Sequence, residues 1–202
     1  MHTSLLRIIC ACPVLLTAAS AAAQQPAPPA PHRPALLRVG LGGSWLGTGD
    51  YYVPKASVEY APQFGRHLRL GARLAYLSKS HPYVFGPGYT IPQSYRALNL
   101  EHEVYWLPIA AGKGVEIGLG AGVFGGYARQ DGFRWARLTP DEGFRYDADK
   151  VRGFHVGYLA SLNVDLALDP ERTWRFGARL AVQNDTRGNV LPGAQFQFSR
   201  AW

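Results

Sequence analysis

The feature that most narrows what this 202-residue chain can fold into is a period of two. From residue 37 onward, apolar or small side chains alternate with polar ones or glycine. Leu37, Val39, Leu41, Gly43 and Trp45 oppose Arg38, Gly40, Gly42 and Ser44, and Leu68, Leu70, Ala72, Leu74 and Tyr76 oppose Arg69, Gly71, Arg73 and Ala75. Successive side chains of a strand point to opposite faces, so each run predicts a strand with one apolar face. Comparable stripes recur over 55–60, 98–106, 115–127, 154–165, 174–183 and 194–202, which makes about eight strands. At roughly 10 residues each is long enough to cross a bilayer when tilted. Beyond the N-terminal segment, no stretch of 18 or more residues is uniformly apolar, so no transmembrane helix is expected.

The connections between the stripes alternate as well. Residues 47–51 form a short loop, 62–67 a tight turn, 80–94 a long loop, 109–114 a tight turn, 130–150 the longest loop, 168–173 a tight turn and 184–191 a modest loop. An up-and-down membrane barrel with both termini on the periplasmic side has short even-numbered turns and longer odd-numbered external loops. A soluble barrel has no reason to sort its loops in this way.

The two faces differ in kind. Trp45, Tyr76, Trp106, Tyr127, Trp174 and Trp202 lie toward strand ends on the apolar face, as aromatic girdles at two membrane interfaces would. The other face carries Lys55, Glu59, Arg69, Arg73, Glu101, Glu103, Glu116, His155, Asp165, Arg175 and Arg179 among many glycines. The expected fold is therefore all-β: an eight-stranded antiparallel up-and-down transmembrane β-barrel with its apolar stripe turned to lipid. An eight-stranded barrel is just wide enough for side chains to fill it. A lone buried charge costs several kcal/mol, so acids from the second, fourth, fifth and sixth strands are expected to pair with arginines from the third and seventh. Such an interior charge network is an electrostatic plug. His102 interrupts the apolar stripe of its strand.

The net charge of +7 and pI near 9.6 would suit an anionic partner, but the positive residues are dispersed. Without a basic run, a basic helix or zinc-ligand spacing, no nucleic-acid partner is expected. The start of the chain is positive through Arg7, then mostly apolar from Ile8 to Leu16, and reaches the small residues Ala21, Ala22 and Ala23 before Gln24. This pattern predicts a signal peptide over 1–23, cut after about Ala23. Cys10 and Cys12 both fall within it, which leaves the mature chain without thiol or disulfide chemistry. A lipid-modified start at Cys12, after Ala11, is the alternative, but it would cut the apolar stretch short. Residues 24–34, QQPAPPAPHRP, read as an extended proline-rich periplasmic linker, and the barrel is expected over 35–202.

The last stripe, GAQFQFSRAW, resembles the C-terminal signal of bacterial outer-membrane barrels: a glycine, alternating aromatics and a final aromatic, matched by Gly193, Phe196, Phe198 and Trp202. Residues 35–202 resemble the small eight-stranded outer-membrane proteins of the OmpA-barrel, OmpX and OmpW kind. The resemblance implies a place in the bacterial outer membrane, contact with outer-membrane lipid, and insertion by the barrel assembly machinery, which would read those four residues as an insertion signal. Arg200 departs from the pattern, since it falls on the lipid side, where its long side chain can reach headgroups.

Motifs for chemistry are weak. Gly120, Gly122 and Gly125 fit G-x-G-x-x-G, but strand continues after them where the dinucleotide motif needs a helix. The turn Gly112-Lys113-Gly114 is likewise no phosphate loop. Lipid A deacylases resemble this chain in architecture and carry a histidine and a serine two residues apart on one strand; here His155 is followed at that spacing by Gly157. His102 and Glu103 point to opposite faces and cannot form a dyad along the strand. His67, His81, His102 and His155 lack metal-ligand spacing, so neither a metal nor a cofactor is expected. The apolar side chains Phe133, Trp135, Phe144 and Tyr146 stand in the longest connection, where they either fold over the barrel mouth or form a loop contact surface for an unknown external ligand. The expected function is non-enzymatic: a structural or surface-interaction protein acting through the external loops 80–94 and 130–150. A narrow channel for small or apolar solutes is the second reading. A soluble lipocalin-type binding barrel is the third, and it would require the apolar faces to turn inward.

Overall fold

The computed structural model describes residues 35–46, 51–109, 111, 113–139, 143–186, 188 and 190–202. The segments read as signal peptide (1–23) and linker (24–34) lie outside the described residues, as do Cys10 and Cys12. Eight strands follow one another: β1 (Ala35–Leu46), β2 (Tyr51–Phe64), β3 (Leu68–Gly86), β4 (Tyr89–Trp106), β5 (Val115–Thr139), β6 (Gly143–Ala167), β7 (Trp174–Asp185) and β8 (Val190–Ala201). Each pairs antiparallel with its neighbours in sequence, and β8 returns to β1, so the sheet is a closed up-and-down barrel. Closure is carried to the end of the ladder, where the backbones of Ala35 and Trp202 exchange two hydrogen bonds at 3.2 Å.

The alternation determines which side faces in. On β3, Arg69, Gly71, Arg73, Ala75 and Leu77 are buried, while Leu68, Leu70, Leu74 and Tyr76 face out; β4 repeats this with Tyr95, Ala97, Asn99, Glu101, Glu103 and Tyr105 inside. A shift of one residue would turn every charge outward, so the register is strongly specified. The barrel is tightly curved, and several inward positions leave no room for a side chain. A Cβ on Gly122 would stand 1.9 Å from the His102 carbonyl oxygen and 2.8 Å from the Glu103 Cα, both backbone atoms of the neighbouring strand. Gly122→Ala is therefore expected to lower stability by about 1–3 kcal/mol, read from the urea midpoint of the detergent-solubilised barrel. Gly132→Ala, where an added Cβ meets nothing within 4 Å, should leave the midpoint in place.

Two of the connections differ from the sequence reading. Residues 80–94 and 130–150 are not loops. β3 and β4 continue as a ladder to Gly86 and Tyr89, and β5 and β6 to Thr139 and Gly143. Phe133, Trp135, Phe144 and Tyr146 are thus strand residues. Pro82 faces Pro92 across the first hairpin, and the second carries a register shift between Phe133 and Trp135. These two hairpins extend one side of the barrel wall beyond β1, β2, β7 and β8, which end near Leu46, Tyr51, Asp185 and Val190. Aromatic contacts hold the hairpins together: Tyr83 with Phe133 at 5.2 Å, and Phe144 with Phe85 and Tyr89 at 5.3 and 4.9 Å between ring centres.

Candidate functional site: a charge-filled lumen and an apolar outer wall

The inner face is polar. Among the described residues, six basic side chains are buried (Arg38, Lys55, Arg69, Arg73, Arg175, Arg179), and six acidic ones (Glu59, Glu101, Glu103, Glu116, Asp165, Asp185). The two signs balance, so the lumen contributes nothing to the net charge of +7.

The pairs form a ladder that can be followed along β7. Near the turn end, Glu116 takes hydrogen bonds from Arg69 and lies 3.4 Å from Arg175. Arg38 donates to Asp165 at 2.7 Å and stands 3.5 Å from Glu59. Arg179 donates to Glu103 at 2.6 Å, and Arg73 donates to Glu59. Tyr105 sits between these pairs, its hydroxyl donating to Glu103 at 2.6 Å or Glu59 at 2.8 Å and accepting from Arg73 at 3.2 Å. Above them Glu101, 0% exposed, accepts from Lys55 at 2.7 Å and Gln183 at 2.6 Å, with Arg73 and Arg179 at 3.4 and 3.6 Å. Higher still, His155 faces the Asp185 carboxylate through Nδ1 at 3.1 Å and the Asn99 side-chain amide through Nε2 at 2.9 Å. Phe124 stands edge-on to its ring at 5.5 Å. An apolar layer closes the hairpin end of the lumen: Leu46, Val53, Leu77, Tyr95, Ala97, Ala128 and Leu191.

All eleven residues expected in the interior network thus lie on the inner face; nine of them pair directly with one another, and Asp165 joins through Arg38. The eleventh, His155, meets Asp185 and Asn99 instead. Arg38, Asn99, Tyr105, Gln183 and Asp185 also belong to the network; the alternation itself puts the first four on the polar side. Void space between Ser44, Lys55, Arg179, Gln183 and Gln195 is about 10 Å³, room for about one water.

The outer face is the reverse. Val39, Leu41, Val58, Leu74, Leu100, Val123, Leu180 and Phe196 are all exposed, Leu41 at 65%. Rings cluster at both margins of this belt: Trp45 against Tyr52 at 5.5 Å toward the hairpins, and Trp174 against Phe198 at 5.2 Å toward the turns. Arg200 places its guanidinium 5.1 Å from the Trp174 ring centre, at the turn-side margin. Phe196 and Phe198 face out on β8, Trp202 extends that strand, and Gly193 lies against Ser44 and the Gly43 carbonyl, where a Cβ would meet both within 2.8 Å. A soluble barrel hides its apolar face and wets its charges; this one hides a neutral set of charges and presents a continuous apolar belt, the arrangement that hydrocarbon requires. A lipocalin-type interior is excluded by the same observation.

No protein-family model matches the chain, and no curated protein matches its sequence. Solved structures do match. OprG of Pseudomonas aeruginosa superposes with a TM-score of 0.54 at 9% identity over 84% of this chain and 96% of its own. Ail, the attachment invasion locus protein of Yersinia pestis, gives 0.53 at 10% over 84% and 97%, and has also been solved with the heparin analogue sucrose octasulfate. Neisserial surface protein A gives 0.51 at 13% over 83% and 94%. Such identities speak for architecture, and the architecture is shared along nearly the full length of each. With strands in this order, charges inside and an apolar belt outside, the chain has the fold of the small eight-stranded bacterial outer-membrane β-barrels.

Proposed function

We propose that this is a non-enzymatic outer-membrane protein of a Gram-negative envelope, structural in its barrel and acting at the cell surface through the paired hairpins of β3–β6. The observation that carries the reading is the girdled apolar belt with a four-stranded extension rising from one of its margins. Export by the 1–23 signal peptide, a periplasmic linker over 24–34, and recognition of Gly193, Phe196, Phe198 and Trp202 by the barrel assembly machinery belong to the same reading. The balanced lumen acts as a plug, which argues against the channel alternative. A catalytic role for His155 is disfavoured by its surroundings: both ring nitrogens are engaged, and neither Asp185 nor Asn99 carries a hydroxyl or thiol for the imidazole to activate. On the extension, Val84, Trp135, Leu138 and Tyr146 are exposed and form the contact surface for an external ligand.

Envelopes washed with urea should retain the protein, and the detergent-extracted protein should migrate faster unheated than boiled. Cells displaying it should adhere to polystyrene coated with serum proteins several-fold better than cells with a variant in which both hairpins are shortened, at matched surface levels. Equal adhesion would remove the contact role and leave the structural one; release by urea would remove the membrane assignment itself.

A further inference from the structure

Because the lumen is neutral, the surplus positive charge lies elsewhere, and part of it is arranged in a row. Arg96 on β4 is directly opposite Arg129 on β5, and Arg129 is directly opposite Arg152 on β6. All three are exposed on the outer face. Side chains facing one another across strands have Cβ atoms about 5 Å apart, and like charges so placed destabilise a sheet. Two consecutive like-charge pairs on three neighbouring strands therefore call for an anion.

The row's height decides which kind. Immediately below it on the same face run Leu98, Tyr127 and Phe154, in the same register, with Phe154 85% exposed. Tyr127 and Phe154 stack edge-on at 5.4 Å, and Arg129 lies 5.9 Å from the Tyr127 ring centre. These rings belong to the hairpin-side margin of the apolar belt, so the arginines stand roughly 5 Å above the end of the hydrocarbon. The row above holds Ser94, Asp131 and Lys150; Asp131 accepts from Ser94 at 2.9 Å and faces Lys150. Among the described residues, none of the three arginines is within salt-bridge distance of a carboxylate.

We propose that Arg96, Arg129 and Arg152 form a binding site on the outer wall for a phosphorylated lipid of the outer leaflet. Guanidinium forks match phosphate oxygens in geometry as well as charge. The lipid's phosphate lies in the arginine row, and its acyl chains run down Leu98, Tyr127, Phe154 and Val156. A soluble polyanion has no use for an apolar wall beneath its charges, which is why the lipid is favoured. The site rests on the outer-membrane reading.

The test uses the refolded full barrel in a zwitterionic detergent, with bisphosphorylated lipid A as probe and native mass spectrometry to measure its retention. At about 1 kcal/mol for each basic residue near such a surface, combining Arg96→Gln, Arg129→Gln and Arg152→Gln should weaken retention on the order of 100-fold. The same loss of charge on the extension, Arg134→Gln, Arg137→Gln and Arg145→Gln, should leave it within a few-fold. Dephosphorylated lipid A should bind both proteins equally weakly, and inorganic phosphate should compete poorly. Without lipid, the row variant should be as resistant to heat as the native chain or more so, since repulsion has been removed. Equal retention by the row variant, or full retention of the dephosphorylated lipid, would overturn the site. So would tighter retention of sucrose octasulfate than of lipid A by the same three residues, which would assign the row to a soluble polyanion. Unheated gel mobility keeps the two failures apart: a native chain without the compact form fails the membrane reading, whereas a compact chain indifferent to the arginines fails only this site.

Discussion

Glu101→Ala should destabilise the folded barrel by about 3–5 kcal/mol, because removal of one member of a buried ion cluster leaves its partners uncompensated. Four groups converge on this carboxylate: Lys55 at 2.7 Å, Gln183 at 2.6 Å, Arg73 at 3.4 Å and Arg179 at 3.6 Å. With the acid gone, three cations share the centre of the lumen and only Glu59 and Glu103 remain within reach of Arg73. Urea unfolding in detergent, followed by tryptophan emission, gives the shift. Planar-bilayer recording gives a second readout. The native barrel, with space for about one water beside Lys55 and Arg179, should conduct negligibly, and the variant should show leak if these side chains are what blocks the lumen. Unchanged stability together with unchanged conductance would mean that the network neither holds nor plugs the barrel.

Leu100→Arg is expected to cost about 1–3 kcal/mol for a different reason: it puts a charge against hydrocarbon inside the belt. Leu100 faces outward on β4, between Leu98 and His102 and well inside the margin marked by Trp106. Val84→Arg, also exposed but on the extension, should stay within about 0.5 kcal/mol of the native value. The contrast is the diagnostic part. If both arginines are tolerated alike, water surrounds the whole outer wall and the transmembrane assignment fails; if only the one at Leu100 is costly, the belt is the membrane-spanning surface.

The legibility of this chain followed the presence of the membrane. Where lipid lies on one side and a filled lumen on the other, every second residue is constrained, and the stripes of β3 or β7 show it over four or five repeats. Above the belt that constraint ends. The upper parts of β3–β6 are held by backbone ladders and ring contacts such as Tyr83 with Phe133, neither of which imposes a period. With Pro82, Pro92, Gly86, Gly88 and Gly132 in the same stretches, residues 80–94 and 130–150 look like loops in sequence although they are strands. The network members that escaped notice have a similar explanation. Tyr105 reads as an aromatic rather than as a hydrogen-bonding centre, Asn99 and Gln183 stand on the polar stripes but carry no charge, and Asp185 lies beyond the last repeat of the β7 stripe. The arginine row could not be seen in the chain at all, since Arg96, Arg129 and Arg152 become neighbours only through the register of three strands.

The exchange of hydrogen bonds between Ala35 and Trp202 has a kinetic meaning. The seam from β1 to β8 joins the two most distant strands, so the chain entropy of closing it must be met before that ladder stabilises anything, and contacts of such high sequence separation slow folding. Until β8 arrives, β1 and β7 are open edges whose unpaired amides and carbonyls hydrocarbon cannot satisfy. A chain interrupted before Val190 therefore has no partly stable resting state in the bilayer. The order of synthesis works against this barrel, because the strand that completes it is made last, and the whole sheet must stay competent and unaggregated until that strand is available.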